Sequence, residues 1–217
     1  MEKKMRLRNK KDANVIVNHS EYVIKNPKEQ RGNWKHIFGN ENEIHIEIGM
    51  GKGNFIMNMA LAHSNINYIG IEMYDSVIVS AVKHLAEREE NIPNLKLIRM
   101  DAKEIEEVFD KEISRIYLNF SDPWPKAKHA KRRLTSEEFL TRYEHIFKDK
   151  KVIFQKTDNN SLFEFSILSL EAHGYCLKQV TRDLYANPIE GNIATEYEKK
   201  FVNQGIKINR LEAYKEE

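Results

Sequence analysis

The chain has 217 residues, with 35 Lys and Arg against 33 Asp and Glu and a net charge of +2. That length supports one sizeable domain with a buried core and is short for two, while so even a charge balance says little about partners. The single cysteine, Cys176, excludes an internal disulfide framework and fits a reducing compartment. No apolar run is long enough to span a membrane, and the basic N-terminus lacks the apolar segment of a secretory signal. One domain over residues 1–217, in a cytoplasmic protein, is the expectation.

Residues 1–12 carry Lys3, Lys4, Arg6, Arg8, Lys10 and Lys11. They are expected to form a mobile basic arm, suited either to phosphate contact or to simple solvation. Asn26-Pro27 and Gly39-Asn40 mark turns, with Trp34, Ile37 and Phe38 covering the edge of the core. The first strand, about 43–48, alternates Ile44, Ile46 and Ile48 with polar residues. Alone, that pattern describes a half-exposed strand. The run Glu47-Ile-Gly-Met-Gly-Lys-Gly53 and a helix from about Asn54 to His63 follow it, and this context overrides the pattern. Strand, glycine turn and helix in that order suit a nucleotide-like cofactor, although the spacing is G-x-G-x-G. Gly49 and Gly51 would let a cofactor approach the backbone.

A second strand runs from Asn67 to Glu72, and a helix follows with Val77, Ile78, Ala81, Val82 and Leu85 at helical spacing. A third strand, Leu95–Met100, ends at Asp101-Ala102. Glu104 to Glu112 has the composition of a solvated helix face. The fourth strand, Ile113–Phe120, closes on Ser121-Asp122-Pro123-Trp124-Pro125, where two prolines stop the ladder. A basic turn comes next. Thr135 to Glu138 has the pattern of a capping box, with Thr135 as N-cap, ahead of a helix bearing Phe139, Leu140, Tyr143, Ile146 and Phe147. A fifth strand, Lys151–Lys156, leads into Thr157-Asp158 and a helix over about 160–173. The last two strands are expected at 175–182 and 206–214, with Cys176 buried and inert.

This order implies an α/β fold with a mainly parallel, seven-stranded sheet and helices on both faces. Ligands of such sheets bind outside the carboxyl ends of the strands. Glu47, Glu72, Asp101, Asp122 and Asp158 all fall at those ends. Glu72 stands nineteen residues after Gly53, a spacing suited to ribose hydroxyls, which a nicotinamide dinucleotide and S-adenosylmethionine (SAM) both carry. Glu47 beside the glycines would repel a pyrophosphate and suits a sulfonium or ammonium cation, and Asp101-Ala102 suits an adenine edge. SAM is therefore favoured over NAD. An NAD-dependent oxidoreductase and an RNA-binding protein without activity remain as alternatives. The histidines show no ligand spacing and there is no cysteine pair, so no metal site is expected.

Glu47 to Gly53, Gly70-Ile-Glu72, Asp101-Ala102, Asp122-Pro-Trp-Pro-Lys126, Lys128-His-Ala-Lys-Arg-Arg133, Thr157-Asp158 and Thr195-Glu-Tyr-Glu198 together resemble the bacterial tRNA (guanine-N7-)-methyltransferase family. The likeness runs from about residue 5 to the end, with no departure at these positions. The glycine run is common to many methyltransferases, whereas the Asp-Pro-Trp-Pro-Lys and Thr-x-Tyr-Glu stretches are specific. The resemblance implies a Rossmann-like, SAM-dependent enzyme that methylates a guanine at position 46 of the tRNA variable loop. It implies that Glu47, Glu72, Asp101 and Asp122 bind SAM and that Asp122 is catalytic. It further implies that Lys126, Asp158, Thr195, Glu196, Tyr197 and Glu198 meet the substrate, and that Lys128, His129, Ala130, Lys131, Arg132 and Arg133 contact RNA. Monomer and homodimer both stay open.

Overall fold

The computed structural model describes residue 17 and residues 19–216, so the basic arm expected at 1–12 lies outside the described residues. The strands are β1 (Val23–Ile24), β2 (Glu43–Ile48), β3 (Ile66–Glu72), β4 (Leu95–Arg99), β5 (Ile113–Asn119), β6 (Lys151–Thr157), β7 (Cys176–Thr181) and β8 (Asn209–Lys215). The helices are α1 (Trp34–Phe38), α2 (Asn54–Ala62), α3 (Asp75–Ala86), α4 (Ile105–Val108), α5 (Glu137–Glu144), α6 (Asn160–Ala172) and α7 (Glu196–Val202).

The strands form one sheet in the order β1-β4-β3-β2-β5-β6-β8-β7. β1 to β6 pair in parallel, while β8 runs antiparallel to β6 and β7. The eighth strand, against the seven expected, is the two-residue β1 beside β4; it is too short to show a period-2 pattern. From β2 the chain builds β3 and β4 to one side, then returns to lay β5 on the other. Strand order therefore reverses between β2 and β5, the place at whose carboxyl ends ligands of such sheets bind.

Each face of the sheet has its own apolar layer. Ile44, Ile46 and Ile48 of β2 join Trp34, Ile105, Val108, Phe139, Tyr143 and Phe163, from α1, α4, α5 and α6. Phe55, Ile56, Met57, Ile78, Ala81 and Val82, from α2 and α3, form the other layer with Tyr68 and Tyr117. Beyond the exposed first residue Glu43, the polar residues of β2 are buried too, His45 to 1% exposure and Glu47 to 2%. Alternation here records two covered faces of different chemistry, not a wet one.

Three local expectations are corrected. The acidic stretch 104–112 yields only the single turn α4, because Ile105 and Val108 are drawn into the core and Glu112 turns inward to accept the N–H groups of Gly32 and Trp34, each at 2.9 Å. The N-cap of α5 is Ser136, without a side-chain cap bond; Thr135 is buried and pairs its hydroxyl with that of Ser166 at 2.8 Å. Cys176 is exposed, since β7 is an edge strand with little covering it. Among the described residues no helix is long and apolar enough to cross a membrane.

Candidate cofactor and nucleic-acid site

The glycine turn after β2 is tied to the end of β3: the N–H groups of Gly49 and Met50 both donate to the Ile71 carbonyl, at 2.9 and 3.0 Å. Gly49 and Gly51 have φ of 77° and 58°, the left-handed region that disfavours other residues, and nothing lies within 4 Å of where a side chain would begin. Their outer face is thus an open cradle. Gly70 has a different reason to be glycine. A Cβ there would lie 2.3 Å from Met50 Sδ, so its absence lets the turn pack down on β3.

Glu47 is the penultimate residue of β2, two positions before Gly49. Its Oε1 accepts a hydrogen bond from the Asn119 amide at 2.9 Å, and its Oε2 is buried without a partner. Burial pushes its pKa up from 4.5 to about 8, against the opposing effects of Asn119 and Lys156. An orphaned, buried carboxyl oxygen is costly unless a ligand completes it. Asn119, the last residue of β5, was not singled out from sequence, and its strand-end place beside Phe120-Ser-Asp122 was the available signal.

Glu72 spans the gap between β3 and the turn. Its Oε1 accepts from the N–H groups of Met73 and Tyr74, at 2.8 and 3.1 Å, and its Oε2 from Gly51 N–H at 3.3 Å. Asp101 follows β4 and caps the short helix Ala102–Glu104, accepting from Lys103 N–H at 3.0 Å. Asp122 stands beyond β5 with its carboxylate exposed, held out by a turn in which Phe120 and Trp124 have φ of 51° and 41°. Asp158, beyond β6, is half-buried. The structure therefore gathers all five strand-end acids along one rim.

The basic turn is a short helix, Ala127–Arg132, with Lys126 before it. Its cations divide in two. Arg133 is committed internally: Nε and Nη2 donate to the Pro123 and Trp124 carbonyls, both at 3.1 Å, and the guanidinium lies 4.3 Å from the Phe165 ring centroid. Arg132 stacks over Trp124 at 4.8 Å, and His129 meets the same ring edge-on. Lys126, Lys128 and Lys131 are exposed. Ala130 and Lys131 border a surface groove of about 890 Å³ between α5 and α6, away from the row of acids.

The stretch Thr195–Glu198 holds the capping box that sequence had placed at Thr135. Thr195 Oγ1 accepts from Glu198 N–H at 2.9 Å, and Glu198 accepts from Thr195 N–H at 3.2 Å. Glu196 reaches the glycine turn, pairing with Lys52 at 2.7 Å and accepting from Asn54 at 3.2 Å. Tyr197 is 55% exposed and stacks on Phe120 and Phe201. Glu198 is fully buried against Lys156. Burial pulls the Lys156 pKa below the ordinary lysine value, while Glu198 pulls it back up.

These features fit a cofactor carrying a cation, a ribose and an adenine. The Glu47 oxygen without a partner can accept from a cationic donor, and the bare glycines leave room for a ligand against the backbone.

Comparison with known proteins agrees. Residues 41–211 match a family model described as a putative methyltransferase. The tRNA (guanine-N(7)-)-methyltransferase of Lysinibacillus sphaericus (strain C3-41) is 51% identical over 211 residues, covering 96% of this chain and 97% of that one. The protein of the same name from Bacillus cytotoxicus is 52% identical over 212 residues, with 96% of each chain covered. Among solved structures, an antibiotic-related methyltransferase superposes with a TM-score of 0.62 at 17% identity, covering 86% of this chain and 94% of that one. A 16S rRNA (adenine(1408)-N(1))-methyltransferase from Catenulisporales acidiphilia, solved with its cosubstrate SAM, gives 0.58 at 15% identity, covering 88% and 91%. Both share the Rossmann-like fold.

Proposed function

The chain belongs to the tRNA (guanine-N(7)-)-methyltransferase family, and on that premise we propose that the guanine it modifies is the one at position 46 in the tRNA variable loop. The activity itself is SAM-dependent methylation of guanine N7 in tRNA. One observation carries the assignment of the site. The buried, half-satisfied Glu47 carboxyl at the end of β2 and the exposed Asp122 beyond the adjacent β5 stand at the same switch point, with the basic turn next to Asp122.

When bound, SAM would supply a sulfonium methyl group; N7 of a neutral guanine has a free lone pair for direct in-line attack, the S–CH3 bond breaking as N7–CH3 forms and the sulfur leaving as a neutral thioether. N7 carries no proton, so the protein need not provide a strong base. Its task is to hold two reactants in line. Glu47 would take the cofactor's ammonium, Glu72 its ribose hydroxyls and Asp101 its adenine edge, and Gly49 and Gly51 would let it approach the backbone. Asp122 positions the base and supports the positive charge that develops on it. Asp158 accepts from the N1–H and N2–H edge of guanine, and Lys126 and the segment Thr195–Tyr197 border the base. Lys128 and Lys131 contact phosphates, with Arg132 held by Trp124 beside them; His129 and Ala130 complete that surface. We read the chain as one cytoplasmic methyltransferase domain, acting as monomer or homodimer.

The test is methyl transfer from radiolabelled SAM to unmodified tRNA, followed by mapping of the product base. The expected product is N7-methylguanine at position 46, lost when that guanine is replaced. Label at another guanine would overturn the position while leaving the activity.

A further inference from the structure

The segment 185–195 has little regular structure of its own, yet it leads into the residues that border the mouth of the site. What fastens it is one buried cation. Lys156, near the end of β6, sends its ammonium off the sheet to Glu198 Oε2 at 2.6 Å, the Ile193 carbonyl at 2.9 Å and Asn192 Oδ1 at 3.1 Å. All three of its donor positions are thereby used. Glu198 gathers the same segment from the other end. Its Oε1 accepts from the Asn192 amide at 2.9 Å and the Tyr185 hydroxyl at 3.2 Å, while Oε2 also accepts from Thr195 N–H.

Glu198 has no solvent-exposed surface, and both oxygens are occupied by donors of its own chain. It offers no free acceptor to a base. The neighbours it holds in place do face outward. Glu196 touches the glycine turn through Lys52 and Asn54, and Tyr197 lies on Phe120, two residues before Asp122.

We propose that Lys156 is a positioning residue for the methyl-transfer reaction: through Glu198 its ammonium latches the segment 185–198 beside the mouth and so fixes Glu196 and Tyr197 where the substrate base enters. This rests on the tRNA reading of the site. The latch is a charged pair in a dry place, so removing one partner leaves the other buried and unpaired. Removing both charges while keeping the shape spares the segment that penalty. Glutamine at position 198 still satisfies a capping box.

The experiment compares wild type, Lys156→Met, Glu198→Gln and the double variant Lys156→Met/Glu198→Gln by amide hydrogen exchange of the free protein and by steady-state kinetics with tRNA. Lys156→Met is expected to speed exchange over 185–198 at least tenfold, with β2 to β5 unchanged, and to raise KM for tRNA at least tenfold with a smaller effect on kcat. The double variant removes the stranded charge but still lacks the donor to Ile193 and Asn192, so it is expected to stay unprotected over 185–198 with KM still raised; recovery of both would overturn the latch. If Lys156→Met does not fold, Glu198→Gln gives the same local readout in milder form. Exchange that rises evenly across the sheet would overturn the proposal, as would lost protection at 185–198 with KM unchanged. Because exchange is read without tRNA, it judges the latch even if position 46 proves to be the wrong guanine.

Discussion

Glu196 on α7 and Lys52 in the glycine turn are 144 positions apart in sequence and 2.7 Å apart in space. This contact ties the glycine turn to the start of α7, two stretches proposed to hold the cofactor and to border the substrate. Both side chains are about half exposed, so the pair contributes little to stability, about 0–1 kcal/mol. Glu196→Gln is therefore expected to leave the unfolding free energy within about 1 kcal/mol of wild type while lowering kcat/KM for tRNA several-fold. Chemical denaturation alongside steady-state kinetics checks both halves. An unchanged kcat/KM would show that the bridge does not serve the reaction.

Glu47 makes the free protein sensitive to alkali. Its pKa is raised from 4.5 to about 8 by burial, so the folded state holds a proton that the unfolded chain releases. The stabilisation is complete below pH 4.5 and is lost as pH rises toward 8. His45 acts oppositely: burial lowers it from 6.5 to about 3, so its contribution is full above pH 6.5 and lost as pH falls toward 3. The two slopes oppose between 4.5 and 6.5, and only that of Glu47 acts from 6.5 to 8. Melting temperature should fall over that upper window in wild type and stay nearly level in Glu47→Gln. The cofactor's cation favours the ionised carboxylate, so SAM binding should tighten over the same window with release of a proton. Calorimetry in buffers of different ionisation enthalpy reads that proton directly.

The cations of the basic turn should separate by experiment. Lys128→Ala/Lys131→Ala removes two exposed charges and should lower the salt slope of tRNA binding by about two units, with stability unchanged. Arg133→Lys keeps the charge but loses the planar fork that donates to the carbonyls of Pro123 and Trp124. It should cost about 1–3 kcal/mol of stability and alter the salt slope little. Binding titrations at several salt concentrations, with thermal melts, distinguish them; equal slopes for all three proteins would refute the phosphate role.

Asp122 is exposed, so its replacement should not disturb the fold. Asp122→Ala is expected to lower kcat by about a hundredfold or more, with SAM and tRNA still bound. Single-turnover rates on preformed complex measure this, and near-normal turnover there would remove Asp122 from the chemistry.

The acids of the site were readable because each follows a strand whose apolar run and turn residues are local features. Parallel strand order then carries Glu47, Glu72, Asp101, Asp122 and Asp158 to one rim. Other roles were hidden because they depend on distant partners. Arg133 reads in sequence as one more cation of the basic turn, whereas its guanidinium donates to the Pro123 and Trp124 carbonyls. Glu198, which the resemblance places among the substrate-contacting residues, is buried against Lys156. Thr135 and Thr195 begin equally good capping patterns, and only the second forms the box, since the buried Ser166 takes the hydroxyl of the first.

By itself, the sequence determined the succession of strands and helices, the glycine turn and the row of acids, because periodicity and turn chemistry act between near neighbours. The tertiary structure alone decided which charges stay exposed and which are spent inside the protein. That choice depends on desolvation and on partners scores of positions away, which no local pattern records.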